Sequence, residues 1–203
     1  RALQQAGYWT AGIGKFHWMQ GWQWSTPPGQ GHDLVALRDE MKRYGLDHVW
    51  ETAGKQLAIK NYCEHARHLD NKGLLDAYRQ HALRRPHNVL YGGELERGGE
   101  PWPFDEEDYV DLLTGDEIVR AIRERPADRP FCIFGSFCGP HPPYDPPASY
   151  LERVEYEEVD DFLLPEGVEL SRDDRRRLWR ARRAYRAMIL LIDEQVGRIL
   201  QAL

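Results

Sequence analysis

Phe131-Cys132-Ile133-Phe134-Gly135-Ser136-Phe137, followed almost at once by Gly139-Pro140-His141-Pro142-Pro143-Tyr144-Asp145-Pro146-Pro147, is the stretch on which the fold turns. Its first half is a continuous apolar run of strand length, which suits a strand covered on both faces, as in a parallel sheet. Its second half is neither helix nor ladder, because proline at this density removes donors and fixes φ. It reads as a stiff, extended loop leaving the strand. His141 therefore sits just beyond a strand end, where open α/β sheets place their ligands. A structural turn is the alternative for the same residue. Tyr144 and Asp145 are placed to contact a substrate, although Asp before Pro also shapes turns.

Working outward, the residues before this run predict a helix over 106–125, with Val110, Leu113, Ile118, Ala121 and Ile122 as its apolar positions. Asp116 and Glu117 are spaced to pair with Arg120. After the loop, Tyr185, Met188, Ile189, Ile192, Val196, Ile199, Leu200 and Leu203 recur at helical spacing and predict a long helix with an apolar stripe. Helix, strand, loop and helix in this order make an α/β arrangement. At the other end, Arg1-Ala2-Leu3-Gln4-Gln5-Ala6-Gly7 reads as the tail of a helix closed by glycine. Tyr8-Trp9-Thr10-Ala11-Gly12-Ile13-Gly14 then reads as a second buried strand running into a loop that begins at Lys15. Residues 18–31 form a surface excursion over a site, 50–85 look mostly helical and polar, and 86–104 are a loop by composition. There is no internal repeat and no low-complexity tract.

At 203 residues the chain is long enough for one sizeable domain. Hydrophobic residues at 41% and charged residues at 30% are ordinary for a globular protein, and no apolar run approaches the ~20 residues that span a bilayer. A net charge of −6, with basic runs interleaved by acids, argues against broad nucleic-acid binding. The Arg175, Arg176, Arg177, Arg180, Arg182 and Arg183 group is the exception, and on a helix it reads as a solvated face before it reads as an anionic-partner site. Three cysteines, Cys63, Cys132 and Cys138, suggest no disulfide framework. Any targeting segment would precede Arg1, so localisation is unknown.

Two groups carry candidate chemistry besides His141. In Gly12-Ile13-Gly14-Lys15-Phe16-His17, a strand end delivers a lysine and, two residues on, a histidine; an extended backbone through Phe16 would send both to one side. Lysine neutralises an anionic group, and imidazole exchanges protons or hydrogen bonds with a reacting oxygen. Phe16 where a P-loop needs Ser or Thr excludes that motif. The bland alternative is an exposed lysine and a surface histidine. Cys63-Glu64-His65-Ala66-Arg67-His68 invites a metal, but no second cluster at zinc-type spacing completes four ligands, and a solvated helix is preferred.

The block Gly7-Tyr8-Trp9-Thr10-Ala11-Gly12-Ile13-Gly14-Lys15-Phe16-His17 resembles the second conserved motif of the sulfatase family, G-Y-x-T-x-x-x-G-K-x-H. Arg129-Pro130-Phe131 through the loop to Tyr144 resembles the family's strand and proline-flanked histidine. Tyr185-Arg186-Ala187-Met188-Ile189 with 192–200 resembles its long helix before the later metal-binding strand. The resemblance implies a partial alkaline-phosphatase-like α/β fold, with a mixed, mostly parallel sheet flanked by helices, and hydrolysis of sulfuric esters. It further implies that Lys15 binds the sulfate and that His17 contacts the hydroxyl of the formylglycine hydrate that serves as nucleophile. His141 would bind sulfate oxygens or help protonate the leaving alcohol. The small-molecule sulfate ester is expected to be an aryl, choline or sugar sulfate, selected by loops such as 18–31 and 92–102.

Departures from the family pattern are equally informative. Formylglycine arises from C/S-x-P-x-R, and no such motif occurs: Cys63 is followed by His65 where Pro belongs, Cys138 by Pro142 where Arg belongs, and Ser25 by Gly29. The resemblance thus places the nucleophile, the Ca2+ ligands and a second lysine outside this sequence. Residues 1–203 are accordingly expected to be the central part of one catalytic domain, cut at both ends and inactive alone. A phosphonate or phosphate monoester hydrolase of the same superfamily is the alternative activity. A non-catalytic protein binding carbohydrate or a partner through the proline loop and Trp18, Trp22 and Trp24 is the alternative of another class.

Overall fold

A computed structural model of the chain describes residues 1–18, 26–83, 99–164 and 166–203. Its sheet has three parallel strands, β1 (Trp9–Lys15), β2 (His48–Thr52) and β3 (Phe131–Ser136), in the order β2-β1-β3. The short helix α1 (Ala2–Gln5) stops as predicted, with Gly7 at φ +87°, a value glycine adopts without steric cost. The chain then enters β1, whose interior is buried from Thr10 to Gly14. The Thr10 amide donates to Asp47 Oδ2 at 2.8 Å and its hydroxyl to the Gly45 carbonyl at 2.9 Å, tying β1 to the turn that starts β2.

Two layers cover β1. On one face Ala11 and Ile13 pack against Ile118, Ala121 and Ile122 of helix α6 (Val110–Glu124). Burial of Ile13 alone stabilises the fold by about 2 kcal/mol. On the other face the Trp18 indole and Leu46 occupy the space beside Gly12, where an added Cβ would meet Trp18 Cη2 at 2.5 Å. Phe16 stacks on Trp18 at 4.1 Å between ring centres. Trp18 is thus a cover for the sheet. Trp22 and Trp24, with most of loops 18–31 and 92–102, lie outside the described residues.

The stretch 50–85 is mostly helical as expected, but its start is a strand and many of its polar residues are buried. Its first residues belong to β2, paired with β1 in the register Gly14↔Glu51 and Lys15↔Thr52. Helices α3 (Gly54–Leu57), α4 (Glu64–Asn71) and α5 (Leu75–Leu83) follow, with α2 (Arg38–Lys42) before the strand. Glu51, Thr52, Lys55, Asn61, Glu64 and His65 are all buried. Helix α4 is therefore no solvated helix. Glu64 takes ion pairs from Arg38 and Arg67, and His65 sits in an aromatic nest with Tyr78 and Trp102. Burial holds the His65 pKa at about 4, and its Nε2 bonds the Asp108 carbonyl at 3.0 Å, which is why a histidine tolerates the core. Trp102, expected in a specificity loop, is buried in the same nest.

Three further expectations shift. Strand β3 is not covered on both faces: it has a neighbour only on the β1 side of the described sheet, and Phe134 is 62% exposed. Helix α6 starts at Val110, after a 3-10 turn (Glu106–Asp108) and an extended Tyr109; Glu117 pairs with Arg120, but Asp116 pairs with Arg198 and not with Arg120. After the short helix α7 (Ala148–Glu152), the long helix α8 (Arg172–Ala202) begins at a capping box of Ser171 and Asp174, yet its buried face is Trp179, Ala181, Ala184, Ala187, Met188, Leu191 and Gln195. Of the predicted stripe, Tyr185, Ile189, Val196, Leu200 and Leu203 are exposed. α6 meets α8 closely across Gly115, where an added Cβ would lie 2.5 Å from Gln195 Oε1, and Ile199 and Ala202 pack on Ile118, Ala121 and Ile122 of α6. Within the arginine group, Arg175 and Arg182 pair with Asp160 and Asp161, and Arg176 and Arg177 with Asp173 and Asp174. Acids of the same chain thus answer much of the basic face.

Candidate active site

All three predicted site residues lie at the C-terminal edge of the parallel sheet, where backbone amides and loops converge on ligands. Lys15 is the last residue of β1, and its side chain runs over the start of α3. A Cβ on Gly54 would stand 3.0 Å from Lys15 Cδ and Cε and 3.3 Å from Nζ; Gly54 also has φ +77°. Glycine is required there twice, once for the backbone and once to let the lysine lie flat.

His17 reaches the same edge by a different route from the one its spacing suggests. The backbone does not stay extended: β1 stops at Lys15, and His17 has φ +57°, the one non-glycine residue with positive φ among those described. Such a conformation costs a residue with a Cβ on the order of 1–2 kcal/mol. Partial enclosure lowers the His17 pKa, and the positive charges of Lys15 and His141 lower it further. These contributions place all three side chains in one electrostatic neighbourhood. At neutral pH the His17 imidazole is thereby biased toward its neutral form, able to accept a proton or to donate one hydrogen bond.

His141 is exposed on the proline loop that leaves β3. Its Nδ1 lies 2.7 Å from the Pro142 carbonyl, which can only accept, so Nδ1 carries hydrogen. In the neutral ring Nε2 is then an acceptor, and in the charged ring a second donor. The loop is fixed on both sides of this residue. Before it, the Asp111 carboxyl of α6 accepts the Cys138 amide at 2.6 Å and the Gly139 amide at 3.0 Å. After it, the buried Lys55 ammonium donates to the Pro143 carbonyl at 3.1 Å and Asp145 Oδ1 at 2.8 Å, and also reaches Tyr109 Oη at 2.5 Å. Burial raises the Asp111 pKa, opposed by the charge of Lys55 and the two amides. Asp145 is therefore an anchor within the protein, not a substrate contact, and Tyr144 packs edge-on against Tyr185.

Sequence reasoning missed Lys55, Asp111, Glu51 and Gly54. A signal was present: His48-Val49-Trp50-Glu51-Thr52 has the β-branched and aromatic alternation of a strand, and Gly54-Lys55 follows it as Gly14-Lys15 follows the same alternation in β1. Cys138 is buried near Thr52 Oγ1, at 3.4 Å, and its thiol is pushed up to about 12, which excludes it as a nucleophile. Cys63 is likewise buried with a raised pKa. The described residues do not fit a calcium site either, since the acids near the edge, Asp111, Asp145 and Glu51, are engaged with amides and Lys55, and no group of three His, Cys, Asp or Glu side chains among them could hold a metal.

The comparisons with known proteins agree with an alkaline-phosphatase-like α/β fold. The sulfatase family profile matches residues 1–203. The chain belongs to the sulfatase family. An arylsulfatase of Clostridium perfringens (strain 13 / Type A) is 29% identical over 51% of this chain and 24% of that protein. The phosphonate monoester hydrolase of Agrobacterium radiobacter superposes with a TM-score of 0.57 at 18% identity, over 99% of this chain and 42% of that one. The chain thus spans about a quarter of the length of the first and under half of the second.

Proposed function

We propose that this chain is the central part of the catalytic domain of a sulfuric ester hydrolase and supplies its sulfate-binding and proton-handling side chains. The observation that supports this most is the meeting of Lys15, His17 and His141 at the ends of adjacent parallel strands, with His17 sensing both other charges. Lys15 binds a sulfate oxygen. His17, biased neutral, hydrogen-bonds the attacking group. His141 contacts a second sulfate oxygen through Nε2, or in its charged form donates that proton to the departing alcohol oxygen. Cationic groups fixed before reaction stabilise charge as it develops on the sulfuryl oxygens, which is the largest contribution such sites make. Formylglycine as nucleophile and Ca2+ as cofactor are part of the proposal through family membership, and both belong to residues outside 1–203. The substrate class is a small sulfate ester, with aryl, choline and sugar sulfates all compatible.

Hydrolysis of a phosphonate or phosphate monoester is the second proposal, because lysine and imidazole bind tetrahedral oxyanions of phosphorus and sulfur alike. Turnover of an aryl sulfate and an aryl phosphate by the full-length protein separates the two. We expect the sulfate to be preferred and His141→Ala to lower its kcat by about 10²-fold. Full activity of both Lys15→Ala and His141→Ala would instead point to a protein that does not use this edge for catalysis.

A further inference from the structure

We propose that Glu51 is the positioning residue of His17, its buried carboxyl clamping the turn that carries the imidazole. Strands β1 and β2 set the geometry: Gly14 and Glu51 are register partners, so Glu51 lies one strand away from the point where β1 ends. The side chain is 3% exposed and accepts the backbone amides of His17 and Trp18. These are the amides of the residue at φ +57° and its successor. A left-handed conformation in a residue with a Cβ persists only where surrounding contacts hold it, and this carboxyl supplies contacts to both residues. The second oxygen, Oε2, is buried with no hydrogen-bond partner among the described residues, and the carboxyl lines a narrow cleft together with His17, His32 and Asn61. The cost is understandable in a group whose task is to hold a strained turn from below while leaving the imidazole free above. Burial raises the Glu51 pKa to about 7, so near neutrality both protonation states are populated, and either retains an oxygen that accepts amides.

This inference rests on the proposed role of His17. The test is a double-mutant cycle on the full-length protein, with kcat and KM for an aryl sulfate measured for wild type, Glu51→Ala, Glu51→Gln, His17→Ala and Glu51→Ala/His17→Ala. Glu51→Ala is expected to lower kcat by about 10- to 100-fold with KM changed less than threefold, as a misplaced site group does. Glu51→Gln keeps the accepting oxygen and the shape, and should return kcat to within about fivefold of wild type. In the His17→Ala background, Glu51→Ala should cost less than about twofold. Equal losses in both backgrounds, or no recovery with glutamine, would show that Glu51 serves the fold alone. Should Glu51→Ala fail to fold, the glutamine variant and its combination with His17→Ala decide by the same criterion: a loss beyond fivefold that persists without His17 overturns the proposal. Full activity of His17→Ala overturns the role of His17 itself, and is told apart because it appears with Glu51 intact.

Discussion

The two strand ends that build the site are held in opposite ways. Beyond β3, the loop bearing His141 is fixed on both flanks by buried charge, Asp111 on the amides of Cys138 and Gly139 and Lys55 on Pro143 and Asp145. Beyond β1, the turn bearing Lys15 and His17 depends on one carboxyl, Glu51, and a glycine, Gly54, that makes room. A proline-rich loop has few amides to form a ladder, so the fold brings ionised side chains to the few polar groups it offers. A strand that simply stops at the sheet edge inherits its position from the sheet and needs only a local clamp. The rigid loop thus carries its histidine far from regular structure, whereas the short turn keeps its histidine close and strained.

The largest expected effect comes from breaking the stronger support. Lys55→Met removes a buried cation and leaves Asp145 buried without its partner, a change that costs about 3–5 kcal/mol, read as a lower urea midpoint for the full-length protein. A loss below 1 kcal/mol would mean that the loop is held by its prolines alone and that buried charge does not distinguish the two ends. Gly54→Ala comes next. It strains a φ of +77° by about 1–2 kcal/mol and presses on the Lys15 stem, so KM for a sulfate ester should rise several-fold while kcat falls little.

A smaller, pH-dependent effect sharpens the weaker support. The folded pKa of Glu51, about 7, lies above its ordinary 4.5, so the native state favours the protonated form. The stability linked to it is present below pH 4.5 and is lost as pH rises toward 7, because the unfolded chain ionises first. Glu51→Gln does not titrate. Its stability relative to wild type should therefore improve from pH 4.5 to 7.5 and level off above, as followed by urea midpoints across that range. A flat difference would place the carboxyl in a more polar setting than its burial indicates. The smallest effect is expected far from both ends: Arg176→Ala breaks a 3.8 Å surface pair with Asp173 and should change stability by less than about 0.5 kcal/mol.

Much of this was legible in the sequence because it depends on local chemistry. The apolar run 131–137, the glycine after α1 and the proline loop each state their structure within a few residues. What escaped depends on partners distant in sequence. β2 went unrecognised, its end counted with the polar, mostly helical stretch 50–85, because its buried Glu51 and Thr52 look polar until the sheet encloses them. The stripe on α8 pointed to large residues, whereas its buried face includes three alanines and Gln195, the last seated at a glycine notch on α6 that no hydrophobic period reveals. Lys15, His17 and His141 were expected from the sequence as site residues, whereas the groups that hold their loops were not: Lys55 stands 88 positions from the Pro143 carbonyl it holds. His17 also reaches the site through a left-handed turn where alternation had suggested a continuing strand.

Everything proposed for the sheet edge depends on Lys15, His17 and His141 forming one anion site. Inhibition of the full-length enzyme by inorganic sulfate tests this without dependence on the chemical step. The inhibition constant should rise by about tenfold or more in Lys15→Ala and again in Lys15→Ala/His141→Ala, as expected for loss of charge-assisted contacts. An inhibition constant unchanged from wild type in both variants would contradict it.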